Sequence, residues 1–74
     1  MALITKLEKG YKEYASIHDA IEASYFILET PTGEKVLQID TFGRSTRAMP
    51  GKISQTIQLS PKAIMQLKEI LSEF

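Results

Sequence analysis

The chain lacks cysteine and tryptophan, and it has one histidine among its 74 residues. Without cysteine it cannot form a disulfide or a thiolate metal site, and a single histidine cannot build a zinc centre without several carboxylates close by. We therefore predict no metal and no cofactor. A chain this short has a marginal core, so association with a second copy is the expected support, and a homodimer is predicted.

Long apolar runs are also missing, since none approaches the roughly 18 residues that a membrane-spanning helix needs. Lysine and glutamate interrupt the N-terminal segment, unlike the continuous apolar stretch of a signal peptide. These absences predict a soluble, cytoplasmic protein with no membrane partner. The length leaves room for one core, so residues 1–74 are predicted to form a single domain.

Neither sign of charge is in excess, because nine lysine and arginine residues balance nine aspartate and glutamate residues. Zero net charge argues against strong non-specific binding of nucleic acid, which usually accompanies a basic excess. The distribution is uneven, however, because every charged residue in the segment 43–52 is positive. This segment reads as a loop between two strands, and loops of this length inside compact domains are often functional.

The clearest predicted element is a C-terminal amphipathic helix over residues 61–74. Ser60 is a favourable N-cap residue, and Pro61 is well tolerated at the first helical position. Apolar residues then recur at spacings of three and four, which predicts one wide apolar face. That face is wide enough to cover a small sheet and to meet a second subunit. Besides Ala63, it contains the predicted dimer-interface residues Ile64, Leu67, Ile70, Leu71 and Phe74.

Three segments before the helix are typical of β-strands. Residues Ile53–Leu59 alternate between apolar and polar, which predicts a half-buried strand. Residues Ala23–Glu29 and Lys35–Phe42 flank the segment 30–34, a turn sequence of the length that joins hairpin strands. The predicted fold class is therefore α+β, with a small antiparallel sheet packed by the C-terminal helix.

The first 22 residues fit more than one structure. Their apolar residues match a helical stripe, whereas Gly10 and the two tyrosines also suit a strand or irregular chain. A strand over residues 3–7 is favoured, followed by less regular chain and a helical turn after Ser16. Helix remains the alternative for this segment.

No residues have the pattern of a catalytic site. His18 has Asp19 beside it and Ser16 two residues before, but neighbouring side chains on a helix or strand point in different directions. A nucleophile elbow, a phosphate-binding loop and a closely spaced pair of metal-binding acids are all absent from the sequence. A binding protein is therefore predicted rather than an enzyme.

Cationic and aromatic residues offer a candidate surface for nucleic acid. Single strands are commonly bound by cations on the phosphates and aromatic rings on the bases. The alternative is an ordinary solvated loop, with tyrosines that cover the edge of the core or a subunit contact. The candidates from the basic loop and the strands are Arg44, Arg47, Lys52, Tyr25 and Phe42. A second group consists of Lys9, Tyr11 and Lys12, although Glu8 and Glu13 lie beside it.

From Gly33 onward, the order of elements and several stretches resemble the single-stranded-DNA-binding family of the transcriptional coactivator positive cofactor four. The matching stretches are residues 37–40, 50–52, 56–61 and 66–71. The resemblance implies a curved sheet of about four strands, a homodimer formed through the C-terminal helix, and a surface that binds single strands. The phosphate contacts that it implies are Lys35, Arg44, Arg47 and Lys52, with Tyr25 and Phe42 as stacking residues.

The same region also looks like small bacterial proteins that carry a formyltransferase-like label, but 74 residues leave no room for that fold. The predicted function is that of a homodimeric domain that binds single-stranded DNA or RNA, with a role in transcription regulation. The alternative is a protein-interaction module, such as a small phage or bacterial regulator or inhibitor. Such a module would dock on a larger protein through a sheet edge or its helix, and the neutral charge favours it.

Overall fold

The structure is a computed structural model that describes residues 1–43 and 52–74. Within these residues, four strands and one helix follow each other in the order β1, β2, β3, β4 and α1. The bounds are Ala2–Ile4 for β1, Ala23–Glu29 for β2, Lys35–Phe42 for β3, Ile53–Leu59 for β4 and Pro61–Leu71 for α1. The predicted α+β class, with about four strands and a C-terminal helix, is confirmed.

The described strands form one sheet in the order β1–β4–β3–β2. The pairs β2–β3 and β3–β4 are antiparallel, as expected, whereas β1 runs parallel to β4 and makes the sheet mixed. Strands β1 and β2 therefore point in the same direction at opposite edges. Residues 5–22 connect them across the width of the sheet, because a parallel arrangement requires a long crossover.

A tight turn closes the hairpin between β2 and β3. The Thr30 N–H donates to the Glu34 carbonyl oxygen at 2.7 Å, and the Gly33 N–H donates to the Thr30 carbonyl oxygen at 2.9 Å. Gly33 has a φ of 87°, a left-handed conformation that glycine adopts without a steric penalty. The predicted hairpin is thus confirmed, with its glycine at the position that needs one.

Helix α1 begins at the predicted cap. The Ser60 hydroxyl oxygen accepts a hydrogen bond from the Ala63 N–H at 3.2 Å, and Pro61 lies in the first turn. The Ser60 N–H donates to the Ile4 carbonyl oxygen at 2.9 Å, which ties the start of the helix to β1. One serine therefore both caps the helix and positions it at the end of the sheet.

The helix ends at Leu71, three residues before the predicted end. The Ser72 N–H donates to the Glu69 carbonyl oxygen and the Glu73 N–H donates to the Ile70 carbonyl oxygen, both at 3.1 Å, so the last turn tightens and the α-helical hydrogen-bond pattern stops. Phe74 follows in a turn outside the helix, with its N–H 3.1 Å from the Leu71 carbonyl oxygen. The helical spacing that the sequence analysis assigned to Phe74 is therefore wrong.

Residues 5–22 contain neither a helix nor a strand. The expected strand over residues 3–7 is shorter and begins earlier, and the expected helical turn does not form. Two contacts anchor this segment at its ends. Gln66 accepts the Leu7 N–H at 2.8 Å and donates to the Leu7 carbonyl oxygen at 3.1 Å, and the Glu22 carbonyl oxygen accepts the Phe42 N–H at 3.0 Å.

The core is small and lies where the start of α1 meets the sheet. Among the described residues, the buried apolar side chains are Leu59, 5% exposed, and Ala63, 0% exposed. Asp40 is the buried polar residue of the same range. No helix in residues 1–43 and 52–74 has both the length and the apolar character needed to cross a membrane.

Candidate interaction surfaces

Cross-strand pairing assigns alternate residues to the two faces of the sheet. Leu37 and Leu59 lie opposite each other on the side where α1 packs, which we call the helix face. Gln38 and Gln58 lie opposite each other on the other side, which we call the open face. Every candidate residue on the strands can be placed on one of these two faces.

A hydrogen-bond network of polar side chains links β3 and β4 on the open face. Gln58 Nε2 donates to Gln38 Oε1 at 2.9 Å, and Gln38 Nε2 donates to Asp40 Oδ1 at 3.1 Å. Thr56 Oγ1 donates to the same Asp40 oxygen at 2.9 Å. These bonds satisfy a carboxylate that is only 5% exposed, as a buried acid requires.

These hydrogen-bonded side chains also set the electrostatics of the open face. By register, the described strand residues on that face include no lysine or arginine, and Asp40 is their one charged group. A phosphate backbone laid across the middle of this face would approach a carboxylate and find no cation there. Asp40 was not among the predicted functional residues, although an acid directly after Ile39 in a predicted strand was an available signal.

A β-bulge changes the pairing at the end of the sheet. Thr41 lies opposite Gln55, but Phe42 lies opposite Ile53, so Ser54 is the extra residue on β4. Strict alternation along β4 would place Ile53 on the same face of the sheet as Gln55. The bulge instead sets Ile53 opposite Phe42.

The same end of the sheet holds two of the predicted nucleic-acid contacts. The Gly43 N–H donates to the Lys52 carbonyl oxygen at 3.4 Å, which brings the Lys52 backbone next to the end of β3, where Phe42 lies. Arg44 and Arg47 fall outside the described residues.

The remaining strand candidates lie elsewhere. Lys35 begins β3, seven residues from Phe42, so the two are about 23 Å apart along the strand. Tyr25 lies opposite Ile39 on the helix face, whereas Phe42 alternates with Thr41 onto the open face. Tyr25 and Phe42 therefore cannot stack on bases from the same side of the sheet.

The second predicted group, Lys9, Tyr11 and Lys12, lies in the connection between β1 and β2, and all three side chains are exposed. Just before it, Lys6 Nζ and Glu8 Oε1 form an exposed ion pair at 2.8 Å. Such a pair contributes little to stability because water screens it. The aromatic ring and the cations of this group are accessible to a ligand. Binding of nucleic acid by this group remains a prediction.

Exposed apolar side chains are the dominant feature of the described surface. Ile64 and Leu67 of the predicted dimer interface are half-buried, while Ile70, Leu71 and Phe74 are exposed. Both faces of β2 are exposed as well. On the strands and the helix, the large exposed apolar residues are Leu3, Tyr25, Phe26, Ile27, Leu28, Ile53, Met65, Ile70 and Leu71.

The dimensions of the chain agree with this exposure. Its accessible surface is 6715 Å², whereas a compact monomer of this mass has about 4,600 Å². Its radius of gyration is 14.6 Å, compared with about 11 Å for a compact domain of 74 residues. A single chain thus leaves about 2,100 Å² more surface in water than a self-sufficient domain would.

A groove with a volume of about 480 Å³ separates α1 from β2. Ile27 and Leu37 form part of its floor, and Ile64 and Met65 line the helix side. The other lining residues are Val36, Pro61, Lys35 and Lys68. Because most of the lining residues are apolar, the groove can accept an apolar side chain.

Metal-ligating side chains are not clustered in the part of the chain that the structure describes. No three histidine, cysteine, aspartate or glutamate residues within it are placed to hold a metal ion. The chain matches no family model, and it has no significant match among curated proteins or solved structures. The resemblance to the positive cofactor four family therefore stays a prediction.

Proposed function

We propose that this protein is a small non-catalytic interaction domain that acts as a homodimer. The observation that carries this proposal is the imbalance between two buried apolar side chains and many large exposed ones among the described residues. Exposed apolar patches of this extent on small proteins mark interaction surfaces. A second subunit would remove this surface from water and supply the stability that one small core lacks.

A protein partner fits the described surfaces better than a nucleic acid does. The open face carries Asp40 and, within the described strands, no cation, while the helix face is apolar around Tyr25 and Ile27. Apolar and aromatic side chains are typical of the central part of protein–protein interfaces. We therefore favour a regulator or inhibitor that docks on a larger protein as a dimer.

The dimer is tested by light scattering and by urea unfolding at several protein concentrations. Two chains of 8.3 kDa give an expected mass of about 16.6 kDa, and the unfolding midpoint should rise with concentration because dissociation accompanies unfolding. A monomer that unfolds cooperatively at a midpoint independent of concentration would contradict the proposal.

Single-stranded nucleic acid is the second candidate ligand. The exposure of Lys9, Tyr11 and Lys12 in one segment favours it, as does the proximity of Lys52 to Phe42. Cations beside an accessible aromatic ring are the groups that single strands require.

Replacing Lys9 and Lys12 together with alanine should then weaken binding to a single-stranded oligonucleotide. The slope of log K against log salt is negative, and each lost phosphate contact reduces its magnitude by about 0.7, so the slope of the double variant should be about 1.4 smaller in magnitude. Fluorescence anisotropy at about 50 and 200 mM salt measures this change. Lys62→Ala, an exposed lysine on α1, is the matched control. Absence of binding by the wild-type protein at the lower salt concentration would exclude this candidate.

A further inference from the structure

The two edges of the sheet differ in how they are protected. Strand β1 has three residues, which is too short to template a long partner strand. Strand β2 has seven residues, Ala23–Glu29, and none of them is proline, lysine or arginine. Among the residues that the structure describes, no strand pairs with the outer side of β2. Natural proteins rarely leave a long apolar edge strand unprotected.

Hydrogen bonds at both ends of β2 show which of its backbone groups face outward. The Phe42 N–H donates to the Glu22 carbonyl oxygen, and the Thr30 N–H donates to the Glu34 carbonyl oxygen. Antiparallel pairs alternate between bonded and non-bonded, so the even-numbered residues of β2 exchange hydrogen bonds with β3. The odd-numbered residues direct their N–H and C=O groups away from the sheet. They are Ala23, Tyr25, Ile27 and Glu29.

We propose that a second copy of this chain pairs with that edge, β2 against β2, in an antiparallel arrangement about a two-fold axis. This inference rests on the proposed homodimer and specifies its interface. The register with the greatest overlap places the axis at Phe26, because all seven residues of the strand then face a partner residue. All four outward-facing residues make bonded pairs in this register, and the two sheets join into one sheet of eight strands.

Side chains on both faces are compatible with this register. On the helix face, Tyr25 packs beside the partner's Ile27, and Ile27 packs beside the partner's Tyr25, which are favourable aromatic and β-branched pairs. Ala23 lies opposite the partner's Glu29, so like charges do not face each other. On the open face, Phe26 meets its own copy at the axis. The strand is thus self-complementary, as a two-fold interface requires.

The pairing also explains the groove beside α1. Ile27 is 68% exposed in the single chain and lines this groove. The partner's Tyr25, directly across from Ile27, brings an aromatic ring to the groove mouth. Ile64 lines the same groove, and Leu71 lies two turns further along the same side of α1. One of the predicted dimer residues, Ile64, therefore lies beside the proposed strand pair.

The length of β2 and the exposed apolar residues on it favour this edge as the interface. A standard interface buries about 800 Å² on each partner. The single chain exposes about 2,100 Å² more than a compact monomer of its mass. Part of this excess comes from the connection 5–22, which is exposed apart from Leu7, and part comes from β2 and the exposed residues of α1, which the proposed pairing would help to cover. The free β1 edge offers no comparable length.

Ile27→Lys tests the interface, because lysine on an edge strand opposes pairing while its exposed position is tolerated by the single chain. A dimer carries the change twice, so its Kd should rise by at least about 100-fold, measured by sedimentation or light scattering. Ile17→Lys is the matched control, since Ile17 is 100% exposed outside β2. We expect the control to dimerise as the wild type does.

Amide hydrogen exchange provides a second measurement that does not depend on the variant. In the wild-type dimer, the outward amides of Tyr25 and Ile27 should exchange at least about 100-fold more slowly than unbonded amides. The Phe26 and Leu28 amides, which bond to β3, should be protected in the dimer and in a monomeric Ile27→Lys variant alike.

The outcomes separate this inference from the proposed function. A wild-type dimer with rapidly exchanging outward amides, or a dimer unaffected by Ile27→Lys, would overturn the β2 interface and leave a homodimer that uses another surface. A monomeric wild-type protein that unfolds cooperatively would overturn both. A monomer that acquires slow Tyr25 and Ile27 amides only with a strand from another protein would overturn the second copy as occupant.

Discussion

Replacing Ala63 with leucine should lower the free energy of unfolding by about 3 kcal/mol, the upper part of the range for overpacked cores. Ala63 is 0% exposed, and its N–H bonds to the cap at Ser60, so neither the side chain nor the backbone has room to move. Three added carbon atoms must push α1 away from the sheet. That contact is the only place where the described apolar side chains are buried.

The loss would be a large share of the total stability, which for 74 residues is on the order of 4–11 kcal/mol. Urea unfolding followed by circular dichroism measures it. Met65→Leu is the control, because it also places leucine on α1 but at an exposed position, and it should change the free energy of unfolding by less than about 0.5 kcal/mol. Equal stability of the two variants would show that α1 does not pack on the sheet through Ala63.

Replacing Asp40 with leucine should lower the free energy of unfolding by about 2 kcal/mol. The carboxylate accepts hydrogen bonds from Thr56 and Gln38, and its removal leaves a hydroxyl and an amide without their acceptor. Gln38 also accepts a hydrogen bond from Gln58, so the substitution disturbs the whole hydrogen-bond network across β3 and β4.

A double-mutant cycle with Thr56→Val isolates this effect. Once Asp40 is leucine, Thr56→Val removes an unsatisfied hydroxyl and should restore about 1 kcal/mol, whereas in the wild-type background it should destabilise. Glu73→Leu, at an exposed acid near the C-terminus, is the control and should have little effect. Strict additivity of the Asp40 and Thr56 changes would show that their hydrogen bond does not contribute to stability.

Local patterns explain why much of the fold was predictable. Strands β2, β3 and β4 have the predicted bounds because alternation, and a glycine in the turn, act over a few neighbouring residues. The start of α1 was predictable for the same reason, since Ser60 and Pro61 act within one turn. The end of α1 was not, because the apolar spacing continues to Phe74 while the backbone after Leu71 makes tighter bonds to the third residue before instead of the fourth.

The candidate site was less predictable because it depends on register. Tyr25 and Phe42 were grouped by residue type, but the pairing of Tyr25 with Ile39 places them on opposite faces. Lys35 lies at the opposite end of β3 from Lys52 for a similar reason. Composition identifies which residues can contact a ligand, whereas register decides which of them act together.

The sequence alone determined the lack of disulfides and the zero net charge. It also determined the positions of β2, β3 and β4 and the start of α1, because their signals are local. The tertiary structure decided three further features: β1 pairs parallel to β4, Asp40 is buried on the open face, and β2 becomes an edge. Each depends on contacts between residues far apart in the chain, and no local propensity encodes such contacts. A core this small favours association with a second copy, and the exposed edge of β2 is where we propose that this copy pairs.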